Sequence, residues 1–179
     1  MSNEKLSKYI SFLLRHSDNE NLKFDSQGWT NINDLLFVLN NEGGFNSVKE
    51  SDIQKIIDNS SKKRFEISGD KIRALYGHSR EEKIVHQATQ PPKVLLHGTP
   101  MKNIENIMKE GLLSLERQYV HLTTSDDMAR SVAKRYSKDI VILKIDALRA
   151  WKNGVNFYKI NEEVWLADKI EPQYIIMNI

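Results

Sequence analysis

The side chains best suited to bind an anion are arginines and histidines at three places in the sequence. Arg15 and His16 are adjacent at the end of a predicted helix, Arg64 ends a basic run before a predicted strand, and Arg117 precedes another strand. A guanidinium group offers paired donors that match a phosphate, and histidine can bind the same anion or exchange a proton. On spacing alone, helix capping is the simpler explanation for Arg15 and His16, and solvent exposure for the other two arginines.

A second set of polar residues lies along predicted strands further down the chain. His97-Gly98-Thr99 follows an apolar strand, where a glycine lets the backbone approach a ligand closely. His121 and Thr123 share one face of the YVHLT segment if it is a strand. Each of these histidines, taken alone, is equally consistent with a structural role.

Composition and missing motifs exclude several kinds of chemistry. The 179 residues include no cysteine, so disulfides, thiolate zinc sites and cysteine nucleophiles are absent. No HExxH, GxGxxG, GxxxxGK[ST] or GxSxG pattern occurs, which argues against a metalloprotease, common nucleotide-binding loops and a serine hydrolase. The net charge is +2, so any anion site must be a local arrangement of arginines. We expect no metal site.

The N-terminal part of the sequence predicts three helices followed by a hairpin. Leu6, Ile10, Leu13 and Leu14 have the spacing of one helical face. A second helix opens at Thr30 or Asn31, and Ser47 with Glu50 predicts a capping box for a third. RFEIS and KIRAL flank a Gly-Asp turn, which predicts a β-hairpin. Three helices and a hairpin form the winged-helix pattern, which serves either nucleic-acid binding or protein interaction.

The remainder of the chain predicts a compact α+β lobe. Residues 81–92 are polar and end in a proline pair, so we expect a linker there between lobes at 1–80 and 93–179. Short strands follow at KVLLHGT, YVHLT, IVILKID, VNFYKI and VWLADKI. Two short helices are expected between them, one near Ile104–Met108 and one from Ser125 to about Tyr136. In the second helix we expect Met128, Val132 and Ala129 to face inward.

Taken together and in order, these segments resemble the KptA family of RNA 2′-phosphotransferases. The resemblance covers nearly the whole chain, and the set of segments is far more specific than any one of them. The matching stretches are LSKYISFLLRHS, QGWTNINDLL, KKRFEIS, KIRALYGHS, PPKVLLHGT, ERQYVHLT, VILKID and VWLADKIEPQYI. The resemblance implies an N-terminal winged-helix RNA-binding lobe and a C-terminal NAD-binding lobe of the ADP-ribosyltransferase fold.

The resemblance also implies a reaction and its residues. An RNA 2′-phosphate would attack the nicotinamide ribose of NAD⁺, which is consumed, giving 2′-phospho-ADP-ribosylated RNA. Products would be nicotinamide, 2′-OH RNA and ADP-ribose 1″,2″-cyclic phosphate. The family's essential arginine–histidine–arginine–arginine set would be Arg15, His16, Arg64 and Arg117. Its NAD-site residues would be His97, Gly98, Thr99, His121 and Thr123.

The sequence departs from the family pattern at two places, and a third place bears on the family's chemistry. Tyr119 stands where we expect histidine, and Glu162-Glu163 stands where we expect Asn-Gly. Val164 occupies the position where many ADP-ribosyltransferases carry a glutamate. A phosphate acceptor is already anionic, so it needs no carboxylate to deprotonate it and a carboxylate would repel it.

Two other interpretations remain open at the level of sequence. One keeps the NAD lobe but transfers ADP-ribose to a nucleic-acid end phosphate or a protein. The other is a non-catalytic RNA- or protein-binding module with a degenerate second lobe. We expect a cytoplasmic protein without membrane contact, because no apolar run approaches the roughly 20 residues of a membrane span and no signal peptide is evident. We also expect a monomer.

Overall fold

The chain divides into two compact units, each with its own hydrophobic core. A computed structural model describes residues 3–60 and 63–176. Unit 1 comprises residues 1–85 and unit 2 residues 86–179. The division falls within segment 81–92, which is fully described and contains no helix or strand. Ile84 is buried beside Gly28 in unit 1, and the ring of His86 contacts Tyr119 in unit 2, so the middle of this segment is packed.

Unit 1 contains three helices, α1 (Asn3–His16), α2 (Ile32–Asn41) and α3 (Glu50–Asp58). The predicted apolar face of α1 is confirmed, since its four aliphatic residues are all buried. Asn31 caps α2 by accepting a hydrogen bond from the amide of Asn33 at 2.8 Å.

The predicted capping box at the start of α3 is wrong. The helix begins at Glu50, and Ser47 has a positive φ of 62° outside it. The carboxylate of Asp52 instead accepts a hydrogen bond from the amide of Lys49 at 3.1 Å. An acidic side chain inside the first turn therefore stabilises a helix start two residues later than the sequence pattern suggested.

The predicted hairpin is confirmed and forms the sheet of unit 1. Strands β2 (Phe65–Ser68) and β3 (Lys71–Ala74) pair antiparallel across the turn at Gly69-Asp70. The short strand β1 (Thr30–Asn31) pairs with the other edge of β3, giving the order β1-β3-β2. Ile72 and Phe65 point into the core formed with the helices.

Unit 2 is built on a six-stranded antiparallel sheet in the order β7-β8-β5-β4-β6-β9. Its strands are β4 (Val94–Pro100), β5 (Val120–Thr123), β6 (Ile140–Asp146), β7 (Phe157–Lys159), β8 (Val164–Ala167) and β9 (Ile175–Ile176). Its helices are α4 (Ile104–Glu110), α5 (Asp126–Ala133) and α6 (Ala147–Lys152). Helix α6 directly follows β6 and was not predicted from the sequence.

The inward face of α5 differs from the prediction. Ala129 and Ala133 are the buried residues of the helix, whereas Met128 and Val132 are only partly buried. Small side chains on this face allow the helix to lie close to the sheet.

The described residues thus form a mixed α/β protein with two antiparallel sheets and six α-helices. Across residues 3–60 and 63–176, none of the helices is long and apolar enough to cross a membrane.

Candidate active site

Arg15 and His16 lie in the last turn of α1, where segment 75–79 passes the end of the helix. The imidazole Nδ1 of His16 lies 2.8 Å from the hydroxyl of Ser79, and the Ser79 amide donates to the carbonyl of Arg15 at 3.1 Å. The guanidinium carbon of Arg15 is 5.1 Å from the ring centroid of Tyr76. Two bonds at Ser79 and one ring contact therefore fix this helix end against the segment that follows β3.

Arg64 connects to the same segment through the backbone. It immediately precedes β2, and its carbonyl accepts a hydrogen bond from the amide of Leu75 at 2.9 Å, which extends the hairpin by one pair. Segment 75–79 is thus bonded to Arg64 at one end and to the Arg15-His16 pair at the other. Lys62, which precedes Arg64 in the basic run, lies outside the described residues.

Gly77 allows segment 75–79 to turn around the helix end. Its φ is +87°, in the left-handed region that disfavours other residues, and an added Cβ would be 3.6 Å from Cδ of Arg15. The sequence Gly-His-Ser gave only a weak signal by itself. Contacts made by Tyr76 and Ser79 were not predicted, because nothing local indicates that these residues meet α1.

His97 is held in one tautomer by a main-chain group of the neighbouring strand. Its Nδ1 is 2.9 Å from the carbonyl oxygen of His121, and a carbonyl only accepts, so Nδ1 carries the proton. Burial lowers the pKa of His97, while this hydrogen bond acts in the opposite direction. The neutral ring therefore presents Nε2 as a hydrogen-bond acceptor.

The two histidines predicted for the NAD site, His97 and His121, point to opposite faces of the sheet. Leu96 pairs with Thr123, which places His121 and Thr123 on the face of Leu96 and His97 on the other. The side chain of His97 is therefore hydrogen-bonded to the backbone carbonyl of His121. The rings of the two residues lie on opposite faces. The predicted shared face of His121 and Thr123 follows from their positions in β5.

Gly98 has a packing role that the sequence did not reveal. A Cβ added there would overlap the carbonyl oxygen of Ala129 and lie 2.7 Å from its carbonyl carbon. The glycine therefore lets the backbone of α5 press directly on β4. The sequence predicted that a ligand would approach the backbone at Gly98, whereas in the structure helix α5 approaches it.

Both predicted threonines are buried and use their hydroxyl oxygens within the protein. The Oγ1 of Thr99 accepts from the side-chain amide of Asn103 at 3.2 Å. The Oγ1 of Thr123 accepts from the amide of Ser125 at 3.0 Å, and Ser125 in turn caps α5. These hydroxyls orient the connections that leave β4 and β5.

Arg117 is exposed in the turn before β5. Its amide donates to the carbonyl of Ser114 at 3.0 Å, and Leu115 within the turn has a positive φ of 54°. At the other end of β5, Val164 is buried in β8 opposite Thr123, whereas Glu163 is exposed before that strand begins. The backbone of the turn thus sets the position of Arg117.

Tyr119 belongs to an aromatic cluster that explains why a tyrosine fits there. Its ring centroid is 5.4 Å from that of His86 and 5.0 Å from that of Tyr158. The hydroxyl of Tyr158 donates to the carboxylate of Asp168, with oxygen separations of 3.2 and 3.4 Å. Burial and the charge of Asp168 raise the pKa of Tyr158 to about 12 and also raise the pKa of Tyr119. Only the tertiary structure brings these four residues together.

Among the residues described, no group of three or more histidine, aspartate or glutamate side chains is arranged to hold a metal ion.

Comparison with known proteins gives the family. A family model described as RNA 2′-phosphotransferase, Tpt1/KptA family, matches residues 1–169. The chain belongs to this family. The family resemblance inferred from the sequence motifs is therefore confirmed.

Relatives in the family align over almost their full length. A probable RNA 2′-phosphotransferase of Acetivibrio thermocellus is 44% identical over 172 residues, covering 96% of this chain and 94% of the relative. A protein of the same description from Bacillus thuringiensis is 41% identical, with 97% and 94% covered. Another from Thermococcus kodakarensis is 35% identical, with 98% and 97% covered. Family membership thus supports an RNA 2′-phosphate as the group acted on.

Proposed function

We propose that this chain removes an internal 2′-phosphate from RNA in a reaction that consumes NAD⁺ as co-substrate. Membership in the RNA 2′-phosphotransferase family supports the RNA and the phosphate. The observation that carries the proposal is the attachment of Arg15, His16 and Arg64 to one short segment, residues 75–79. The side chains of Arg15 and His16 contact this segment, and Arg64 is bonded to it through its backbone carbonyl. Two arginines and one histidine attached to the same segment suit a small dianionic group.

The proposed roles follow from what the phosphate must do. A phosphate oxygen is the nucleophile, so the protein has no strong nucleophile to supply. Arg15 and Arg64 would hold the phosphate and neutralise charge that develops during transfer. His16, held by Ser79, would bind the phosphate or exchange a proton with it. On the basis of the resemblance, Arg117 is proposed as a further anion-binding residue.

Residues of unit 2 fit NAD on two structural grounds. In the described sheet, β4 pairs with β6 at seven positions but with β5 only at Leu96, so pairing with β5 ends just before His97-Gly98-Thr99. Neutral His97 also offers Nε2 as an acceptor suited to a ribose hydroxyl. We propose that NAD binds where β4 and β5 cease to pair, so that His97 and His121 can both contact it although they face opposite sides of their strands. Gly98, Thr99 and Thr123 would shape the strand ends around it.

NAD⁺ would supply the electrophilic ribose carbon, from which nicotinamide leaves as the RNA phosphate bonds to it. In the proposed course, 2′-phospho-ADP-ribosylated RNA then yields 2′-OH RNA and ADP-ribose 1″,2″-cyclic phosphate. Buried Val164 keeps a carboxylate away from Thr123, which favours an anionic acceptor over a neutral hydroxyl.

We further propose that unit 1 is a winged helix and that unit 2 has the ADP-ribosyltransferase fold. Three helices with a hairpin in a sheet of order β1-β3-β2 support the first assignment. A six-stranded antiparallel sheet carrying His97-Gly98-Thr99 on a central strand supports the second. The corresponding domains are residues 1–80 and 93–179, connected by 81–92.

The test is incubation of a short RNA carrying one internal 2′-phosphate with NAD⁺, followed by chromatographic separation of nucleotides and RNA. We expect nicotinamide, the cyclic phosphate and 2′-OH RNA in equal amounts. The matched control is the same RNA with its phosphate at the 5′ end. A stable ADP-ribosyl adduct on the control RNA, with the internal 2′-phosphate untouched, would instead support ADP-ribosylation of end phosphates. Dephosphorylation without NAD⁺ would refute the NAD dependence.

A further inference from the structure

An aromatic face runs along α1 and ends at His16. Tyr9, Phe12 and His16 follow one another at spacings of three and four residues, so they occupy one side of the helix. Phe12 is 49% exposed, although its chain neighbours Leu13 and Leu14 are completely buried. The core is therefore complete without Phe12, and this large apolar ring is left facing solvent.

The ring of Phe12 is supported from behind by two others. Tyr9 and Phe12 have ring centroids 6.2 Å apart and planes inclined by 23°, and Tyr9 lies 5.4 Å from the buried ring of Phe45. Gly43 leaves the space for Tyr9, since a Cβ there would lie 2.5 Å from the tyrosine ring. A ring supported in this way loses little further freedom when a ligand stacks on it.

The exposed ring is close to the proposed phosphate site. The ring centroids of Phe12 and His16 are 6.5 Å apart, and His16 is the residue bound to Ser79. On the N-terminal side, the exposed residues Lys5 and Lys8 continue the same region of the helix. Lys8 pairs with Glu4 at 2.7 Å, but both side chains are about three-quarters exposed, so the pair is weak.

We propose that Phe12 stacks on an unpaired nucleobase of the RNA, next to the nucleotide whose 2′-phosphate binds at Arg15 and His16. This inference rests on the proposed function. Aromatic rings beside cationic side chains are the usual means of holding single-stranded RNA, because every base has a π-face and every linkage a phosphate. Such a contact favours an RNA whose bases near the 2′-phosphate are unstacked over one held in a duplex.

The first test compares Phe12→Ala with Phe37→Ala. Phe37 is 52% exposed on α2 of the same unit and is the matched control. Base–aromatic stacking corresponds to a change of about 5- to 150-fold in affinity, so KM for the RNA should rise within that range in Phe12→Ala. Turnover at saturating RNA and KM for NAD⁺ should stay at the wild-type values. Phe12→Trp should retain the wild-type KM, and Phe37→Ala should match wild type throughout.

The second test identifies the base. RNAs with an abasic nucleotide at each position flanking the 2′-phosphate are assayed with wild type and Phe12→Ala. At the stacked position the two changes should not be additive, because each removes the same contact. Additive effects at every position would overturn the proposal, as would equal KM values for Phe12→Ala and Phe37→Ala. A loss of turnover and NAD⁺ affinity together with RNA affinity in Phe12→Ala would show a structural role instead.

Binding measurements separate failure of this inference from failure of the proposed function. Fluorescence anisotropy with a labelled 2′-phosphorylated RNA reports Kd without NAD⁺ or turnover. If wild type does not process the RNA but binds it more tightly than Phe12→Ala does, the reaction is wrong and the stacking contact stands. If wild type processes the RNA, and wild type, Phe12→Ala and Phe37→Ala all bind it with equal Kd, only the stacking contact is wrong.

Discussion

Replacing Gly98 by alanine tests the packing of α5 on the sheet of unit 2. The added Cβ would lie 2.7 Å from the carbonyl carbon of Ala129 and even closer to its oxygen. Ordinary van der Waals contact begins at 3.4 Å, so the helix backbone would have to retreat by about 0.7 Å for the carbon alone, and further for the oxygen. The obstructing atoms are main chain, so no side-chain rotation can relieve the contact.

The expected loss of stability is at the upper end of the range for overpacked interiors. That range is about 1–3 kcal/mol and occasionally more, and each 1 kcal/mol corresponds to about 2–4 °C in Tm for a chain of 150–250 residues. We therefore expect Gly98→Ala to lower Tm by roughly 6–12 °C, measured by far-UV circular dichroism or calorimetry. Gly154→Ala is the matched control, because Gly154 has a positive φ of 94° and no atom within 4 Å of the added Cβ.

The control variant should lose about 1 kcal/mol through its backbone conformation alone, corresponding to about 2–4 °C. Adding Ala129→Gly to Gly98→Ala should not restore Tm, because the side chain of Ala129 is not the obstacle. A Gly98→Ala protein whose Tm lies within about 2 °C of wild type would have lost less than about 1 kcal/mol. That result would refute the close approach of α5 to β4. So would recovery of Tm by Ala129→Gly.

Three further predictions concern charged and titrating groups. Arg64→Ala should lower turnover of 2′-phosphorylated RNA about 100- to 1,000-fold, because a donor that stabilises the transition state is lost. The control is Lys63→Ala at the exposed neighbouring residue, which should keep near-wild-type turnover. Equal rates for the two variants would contradict the assignment of Arg64 to the phosphate site. Burial lowers the pKa of His97, so the stability that its neutral form contributes is present above the ordinary pKa of about 6.5 and is lost as pH falls below that value. His97→Asn should therefore show a smaller drop in Tm between pH 7.5 and 5.5 than wild type. An identical drop in the two proteins would refute the pH dependence assigned to His97. The pKa of Tyr158 is raised to about 12, so its phenol stabilises the fold below the ordinary pKa of about 10, and that contribution is lost as pH rises towards 12. Tyr158→Phe should remove the bond to Asp168, lower Tm by about 2–4 °C at pH 8, and lose the highest-pH step in an ultraviolet tyrosine titration. A titration of the variant that keeps this step would argue against the assignment.

Much of the fold of unit 1 could be predicted from local sequence. The buried face of α1 follows from aliphatic spacing, and the hairpin follows from alternating strands around Gly69-Asp70. The start of α3 could not be read in the same way, because Ser47 and Asp52 both offer an oxygen near the helix start and the backbone at Ser47 is not compatible with capping. Helix α6 has only six residues, too few to show a clear period after the apolar strand β6.

The sequence offered the residues of the candidate site as a prediction, but it did not indicate their contacts. Arg15, His16 and Arg64 follow from family motifs, whereas their attachment to segment 75–79 depends on the chain returning from the hairpin to the end of α1. Gly98 was predicted to let a ligand approach the backbone, whereas the group that approaches it in the structure is the backbone of Ala129, some thirty residues later. The cluster around Tyr158 joins β7, the residue before β5, the residue after β8 and segment 81–92, so no local pattern could indicate it.

The division into two cores also gives each unit its own optical signal. Of the three tryptophans, Trp29 lies in unit 1, where the guanidinium carbon of Arg73 is 4.4 Å from its ring centroid, and Trp165 is buried in the core of unit 2. Trp151 packs partly against the same core as Trp165. Emission from a chain that retains only Trp29 therefore follows unit 1, and emission from a chain that retains only Trp165 follows unit 2. Denaturation traces of these two chains superimpose if the cores unfold as one and separate if each unfolds at its own temperature.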